Sequence, residues 1–185
     1  MSHLKKISTQ LIVTIGVGVA LNYIGSNIAL LLRLPIYLDT MGTMLTATLF
    51  GPVAGMMTGA LSALLSGMTT DLFSLYYGPI QLIVGLMTGW LMYNRIQNEG
   101  KWVPLKALGI SIAGSIAASG ITIYLFGGIT SAGSSIFVQL LHGTGLNLTA
   151  SVVIVQFLTD YVDRLITLSI VVTFVHTLLK RKKFA

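Results

Sequence analysis

Residues able to carry charge or bind a polar ligand are scarce in this chain, and they fall in a few short stretches. The run Asp160-Tyr-Val-Asp163-Arg164 places two carboxylates and a guanidinium within about one helical turn. Asp160 and Arg164 stand one turn apart, a spacing that fits a local ion pair and a binding role equally. Asp39 fits a first-turn cap of the helix that follows it, or a ligand contact. Asp71, Tyr76, Tyr77 and Gln81 form a second group, and Gln139, His142 and Asn147 a third. Aromatics near a water interface are often only a membrane belt. Amide and imidazole groups beside stacking aromatics have less reason to be there, and they suit a small polar heteroaromatic ligand. On this reading Tyr76 and Tyr77 flank a ring, Gln81, His142 and Asn147 fix it by hydrogen bonds, and Asp39, Asp71, Asp160 and Gln139 add polar contacts.

Other chemistries find little support. There is no G-x-x-x-x-G-K-[ST] phosphate loop, no H-E-x-x-H zinc motif and no G-x-S-x-G nucleophile elbow. His3, His142 and His176 lie far apart along the chain, and cysteine is absent, so neither a metal site nor a bound cofactor is expected. Two carboxylates alone are weak grounds for catalysis. The expectation is a protein that is not an enzyme.

The elements that position these residues are set by the apolar tracts. Apolar residues make up 54% of the chain and charged residues 9%, against about a quarter charged in a soluble domain. Mean hydropathy is +0.86. The net charge of +6 does not point to nucleic acid, because the basic residues flank apolar segments and do not line an amphipathic face. Lys5 and Lys6 open the chain, Arg95, Lys101 and Lys106 sit mid-chain, and Lys180–Lys183 close it. Positive charge in short loops marks the cytoplasmic side, so an even number of spans should separate each pair of clusters.

Apolar segments run from about Ile7 to Leu32, Ile36 to Phe50, Val53 to Met68, Pro79 to Tyr93, Pro104 to Phe126 and Ala150 to Leu179. The second and third are shorter than the ~20 residues of a typical span and meet at the turn Gly51-Pro52. The stretch from Gly127 to Thr149 is only partly helical in character. The expected architecture is an all-α integral membrane protein, one domain over residues 1–185, with six transmembrane helices and both termini cytoplasmic. Merging residues 36–68 into a re-entrant segment would leave four spans. Three loops then face outward, around Arg33–Leu38, Thr69–Gly78 and Gly127–Thr149.

Gly51, Gly55, Gly59, Ala63 and Gly67 recur every four residues, Gly85 and Gly89 repeat the spacing, and so do Gly16 and Ala20. Such faces let helices approach closely. They serve packing within the bundle or docking to a separate membrane subunit, with Gly16, Ala20, Gly55 and Gly59 the docking candidates.

The stretch LRLPIYLDTMGTMLTATLFGPVAGMMTGALSALLSGM, continuing into TTDLFSLYYGPIQLIVGLMTGWL, resembles the substrate-binding S components of energy-coupling factor (ECF) vitamin transporters. The resemblance implies a multi-pass protein of a bacterial cell membrane that binds a water-soluble vitamin or precursor from outside. It implies as partners an EcfT-type transmembrane coupling subunit and two cytoplasmic ATPases, which accounts for the missing phosphate loop. Within the family, the tract is most similar to members for hydroxymethylpyrimidine or pyridoxine. Family members pack small residues of the first helix, often A-x-x-x-A, against the coupling subunit. Gly16 and Ala20 match that spacing in size and not in identity. The competing expectation is a membrane sensor or scaffold that docks a partner through its glycine-rich faces.

Overall fold

The computed structural model describes residues 8–95 and 100–183, with the side chains of 179–183 left aside; Ile7, Lys5, Lys6 and His3 lie outside the described residues. Among these residues the chain is helical throughout, without a strand. The helices are α1 (Thr9–Leu31), α2 (Met41–Phe50), α3 (Pro52–Thr69), α4 (Phe73–Tyr76), α5 (Gly78–Met92), α6 (Val103–Phe126), α7 (Ser135–Gly143) and α8 (Leu148–Lys183). A 3-10 turn, Gly100–Trp102, leads into α6. α1, α6 with its leading turn, and α8 as far as Leu178 are long and apolar enough to cross a membrane, and α2 and α5 are shorter apolar helices.

Several helix ends follow local chemistry. Ser8 caps α1, its Oγ accepting the Leu11 N–H at 3.2 Å. α2 and α3 share one terminator: Gly51 sits at φ 94°, ψ 179°, open only to glycine, and Pro52 supplies the first turn of α3. The second apolar tract does not become helical at Ile36. Its first five residues stay irregular, with Leu38 at φ 53°, because the Asp163 Oδ1 carboxylate captures the Tyr37 and Leu38 N–H groups at 3.0 and 2.8 Å. The helix starts only at Met41.

α2 is the centre of the bundle. It packs against α1, α3, α5 and α8, so a helix of ten residues has Gly42 through Thr48 all buried. Of its buried hydroxyls, Thr46 Oγ1 donates to the Gly42 carbonyl at 2.9 Å, as Thr58 and Ser62 of α3 do to Ala54 and Thr58, while Thr43 reaches Gln81 and Thr48 Oγ1 has no hydrogen-bond partner. The apolar core, including Met44, Val84, Ile110 and Leu168, fills the space between α2, α5, α6 and α8. The remaining large apolar side chains, among them Ile12, Leu64, Trp90, Ile116 and Phe174, face outward, as surfaces against lipid do.

The glycine ladder of α3 is consumed inside the bundle, which corrects the expectation that Gly55 and Gly59 dock a partner. A Cβ on Gly55 would meet Ala47 of α2 and come within 3.1 Å of Gly85 Cα; one on Gly59 would sit 2.9 Å from Gln81. Gly89 lies against Pro52 in the same way, and Gly18 of α1 against Gly42. Gly16 differs: nothing lies within 4 Å of a Cβ there, and both Gly16 and Ala20 are exposed. Gly85→Ala is expected to destabilise the protein by about 1–3 kcal/mol, the usual cost of overpacking, because its Cβ would meet the Gly55 and Met56 backbone at 2.6 Å. Thermal melting in detergent checks this, with Gly109→Ala, where the space is open, as the reference.

Candidate functional site

Antiparallel connection places the loops after α1, α3 and α6 at one end of the bundle, and a cavity of about 100 Å³ lies beneath them. At ~10–15 Å³ per water position it has room for roughly seven waters, or one small ring. Its wall comes from α1 (Ser26, Ala29), the α1–α2 loop (Ile36, Tyr37, Asp39), the segment Asp71–Ser74, α5 (Ile80, Gln81), the Thr130–Gly133 loop and α8 (Gln156, Asp160, Arg164). A side chamber of about 20 Å³ between Asn22, Ser62 and Gln81 adjoins it through shared residues.

One polar network runs from α1 to α8 along the cavity floor. Asn22 accepts the Gly42 N–H at 2.7 Å and donates to Thr43 and Ser62 at 2.8 and 3.0 Å. Thr43 donates to Gln81 Oε1 at 3.0 Å, and Gln81 Nε2 donates to the Asp39 carbonyl and to Asp39 Oδ2 at 2.9 and 3.0 Å. Arg164 Nη1 then contacts Asp39 Oδ1 at 3.9 Å, Thr40 Oγ1 at 2.6 Å and Asp163 Oδ2 at 2.5 Å. Asp39 is therefore no helix cap: Thr40 holds that position, and its side chain makes no capping bond. The expected Asp160–Arg164 pair is likewise replaced, since Arg164 turns to Asp163 and Asp39. Asp160 instead accepts Ser115 Oγ at 2.7 Å and Gln156 Nε2 at 3.2 Å.

Gln156 Nε2 also donates to the Tyr37 hydroxyl at 3.0 Å, which lies 3.1 Å from Ser134 Oγ. Burial, and after it the Asp160 charge, push the Tyr37 phenol up, so it stays a neutral donor and acceptor. Burial pushes the Asp39 carboxyl up to about 6; Arg164 opposes this, and Asp163 and Asp160 add to it. Asp71 stands at the mouth, where its Oδ2 accepts Ser131 Oγ at 3.0 Å and Ser74 Oγ at 3.3 Å. The opposite rim is held by close backbone contact: a Cβ on Gly133 would run into the Arg33 and Leu34 carbonyls, and one on Gly25 into that of Leu38.

Of the residues singled out from sequence, Asp39, Asp71, Tyr77, Gln81 and Asp160 meet at this cavity. Tyr77 donates to or accepts from Thr122 at 2.6 Å. Tyr76, Gln139, His142 and Asn147 lie elsewhere. Tyr76 packs edge-on against Phe126, ring centroids 5.4 Å apart, and Gln139 is exposed on α7. His142 Nδ1 lies 2.7 Å from the Leu146 carbonyl, closing the turn after α7, and Asn147 Oδ1 accepts the Ala150 N–H at 2.9 Å as a cap of α8. Tyr37, Gln156 and Arg164 also line the cavity. Gln156 and Arg164 have a sequence signal, the polar stripe Gln156, Asp160, Asp163, Arg164 and Thr167 at helical spacing along an otherwise apolar tract, whereas Tyr37 on the α1–α2 loop lies off that stripe. No group of metal-ligating side chains occurs among the described residues.

The network sets a pH dependence. An acid whose pKa is raised in the folded state binds protons more tightly folded than unfolded, so stability grows as pH falls from about 6 towards the ordinary carboxylate value of 3.8. Ligand-free protein is expected to melt at a higher temperature at pH 5 than at pH 7. Asp39→Asn should narrow that difference, and an unchanged difference in the variant would remove Asp39 as its source.

A family model described as ECF transporter, substrate-specific component, matches residues 10–175. No curated protein and no solved structure matches the chain.

Proposed function

Since the chain belongs to the substrate-specific components of ECF transporters, we propose that the cavity beneath its three loops is where it takes up a small water-soluble vitamin or vitamin precursor, hydroxymethylpyrimidine or pyridoxine being favoured. Family membership makes the chain part of a transporter and not an enzyme, and it implies association with EcfT and ATPase subunits and a small-molecule substrate. One observation carries the finer reading: a ring-sized cavity whose wall combines aromatic and apolar groups with a continuous polar network. Tyr37 and Tyr77 with Phe73 supply the aromatic wall, and Gln81, Asp39, Asp160 and Gln156 supply hydrogen bonds. Tyr76, Gln139, His142 and Asn147 take no part in this proposal, since each lies outside the cavity wall.

In this reading six helices span a bacterial cell membrane: α1, α2, α3, α5, α6 and α8. Both termini are cytoplasmic and the loop end is outside. The basic clusters and the even number of helices between them support that orientation. The alternative of a sensor or scaffold has no support, since the matched family is a transporter family, and of its glycine faces that of the third helix is buried against α2 and α5.

Purified protein is expected to bind a member of the vitamin class without ATP, raising the melting temperature by several degrees at ligand concentrations near 100 Kd, equivalent to about 2.7 kcal/mol. A thermal-shift panel of water-soluble vitamins and precursors tests this; no shift across the panel, on protein that melts cooperatively, rejects the assignment.

Docking to the coupling subunit is assigned to the exposed Gly16–Ala20 face of α1, where a Cβ on Gly16 would meet nothing within 4 Å. Gly16→Leu and Ala20→Leu should abolish co-purification with the EcfT-type subunit while leaving ligand affinity within about twofold. Normal assembly by both variants would move the docking face elsewhere.

A further inference from the structure

If the cavity is the substrate site, its hydrogen-bond inventory also describes the ligand. The donors on its wall are committed. Gln81 Nε2 is held by Asp39, Gln156 Nε2 is shared between Tyr37 and Asp160, Ser74 and Ser131 are bound to Asp71, and the Tyr77 hydroxyl is paired with Thr122. The one cation among the lining residues, Arg164, is enclosed, its side chain only 3% open. Its Nη1 is taken by Asp163 and Thr40, and its Nε is buried without a hydrogen-bond partner. An anionic ligand would find no receptor there.

Acceptors are in surplus. An ionised carboxylate offers about four acceptor positions. Asp160 uses one on each oxygen, and Asp39 Oδ2 receives a single donor, from Gln81. Asp39 Oδ1 is covered and without a hydrogen-bond partner, yet 35% of the Asp39 side chain remains open, so the opening lies along its Oδ2 side. Asp163 neutralises Arg164 closely at 2.5 Å, whereas Asp39 stands 3.9 Å from the same atom. Asp39, Asp160 and Asp163 thus share the single guanidinium of Arg164, which leaves more carboxylate than cation around the space. A buried carboxylate in that condition is costly unless something donates to it.

Taking the cavity as the substrate site, we infer that its ligand is a nitrogen heterocycle that is protonated or bears an exocyclic amine. Its N–H groups bond to Asp160 and Asp39, and carboxylate-bearing vitamins are excluded. Ring N–H or amino groups directed at paired oxygens replace the missing donors, while an added carboxylate would meet like charge in a poorly solvated space.

The test is isothermal titration of the full-length protein in detergent at pH 7. The donor-bearing probes are 4-amino-5-hydroxymethyl-2-methylpyrimidine and pyridoxamine, and the anionic probes are nicotinate and pantothenate. At least one donor-bearing ring should bind 10-fold or more tightly than either anion. Asp39→Asn and Asp160→Asn should each weaken that ring about 10-fold or more, with melting still cooperative. Tighter binding of nicotinate or pantothenate, or a donor-bearing ring whose affinity neither variant alters, overturns this inference and leaves the vitamin-binding assignment standing. Failure of all four probes, together with an empty thermal-shift panel, overturns both.

Discussion

The buried carboxylate of Asp163 is the constraint on which the loop end of this protein depends. Its side chain is wholly enclosed, and it has three partners at once. Oδ1 accepts two successive backbone N–H groups of the α1–α2 loop and Oδ2 binds Arg164. An enclosed charge survives only with such complete pairing, and removing one member of a buried ion pair typically costs about 3–5 kcal/mol. The bonds to Tyr37 and Leu38 delay the start of α2, aim the Tyr37 ring at the cavity and set Asp39 beside Gln81. Arg164, held in turn by Thr40, fixes the first turn of α2 against α8. Position and charge in the cavity wall both follow from one side chain that does not itself line it.

A second constraint is the space available around α2. A ten-residue helix enclosed by four others leaves its neighbours little room, and the structure meets this with glycine against glycine: Gly18 on Gly42, and Gly55 on Gly85. With backbones this close, dispersion contacts replace the hydrophobic drive that lipid cannot provide between helices. The small residues also leave the hydroxyls of Thr43 and Ser62 within reach of Asn22, so close packing and the polar network arise from the same geometry.

Much of the fold is legible in the sequence because hydropathy and the Gly51-Pro52 break are local signals. The tract ends predicted from Val53, Pro79 and Pro104 fall within one residue of the helix starts. Spacing alone does not tell an inward glycine face from an outward one: Gly55 and Gly59 are spaced like Gly16 and Ala20, and only the neighbouring helices separate the two cases. The start of α2 is illegible for a similar reason, since its determinant, Asp163, lies more than a hundred residues downstream. In the candidate site, Asp39, Asp71, Tyr77, Gln81 and Asp160 reach one cavity because they border loops at one end of the bundle. His142 and Asn147 border such a loop too, but their polar atoms serve the turn and the cap next to them. Loop polarity in a sequence does not distinguish those two uses.

The rim of the cavity is fastened unequally. On one side the Arg33–Leu38 backbone is wedged between Gly25 and Gly133 and pinned by a buried carboxylate, so moving it breaks several enclosed contacts together. On the other, the Asp71 and Ser131 side chains meet in a single exposed hydrogen bond, which water replaces at a cost of about 1 kcal/mol or less. The second side is therefore the more easily parted of the two. The α1–α2 loop is the firmly held side of the rim, and the Asp71–Ser131 contact is its weakest fastening.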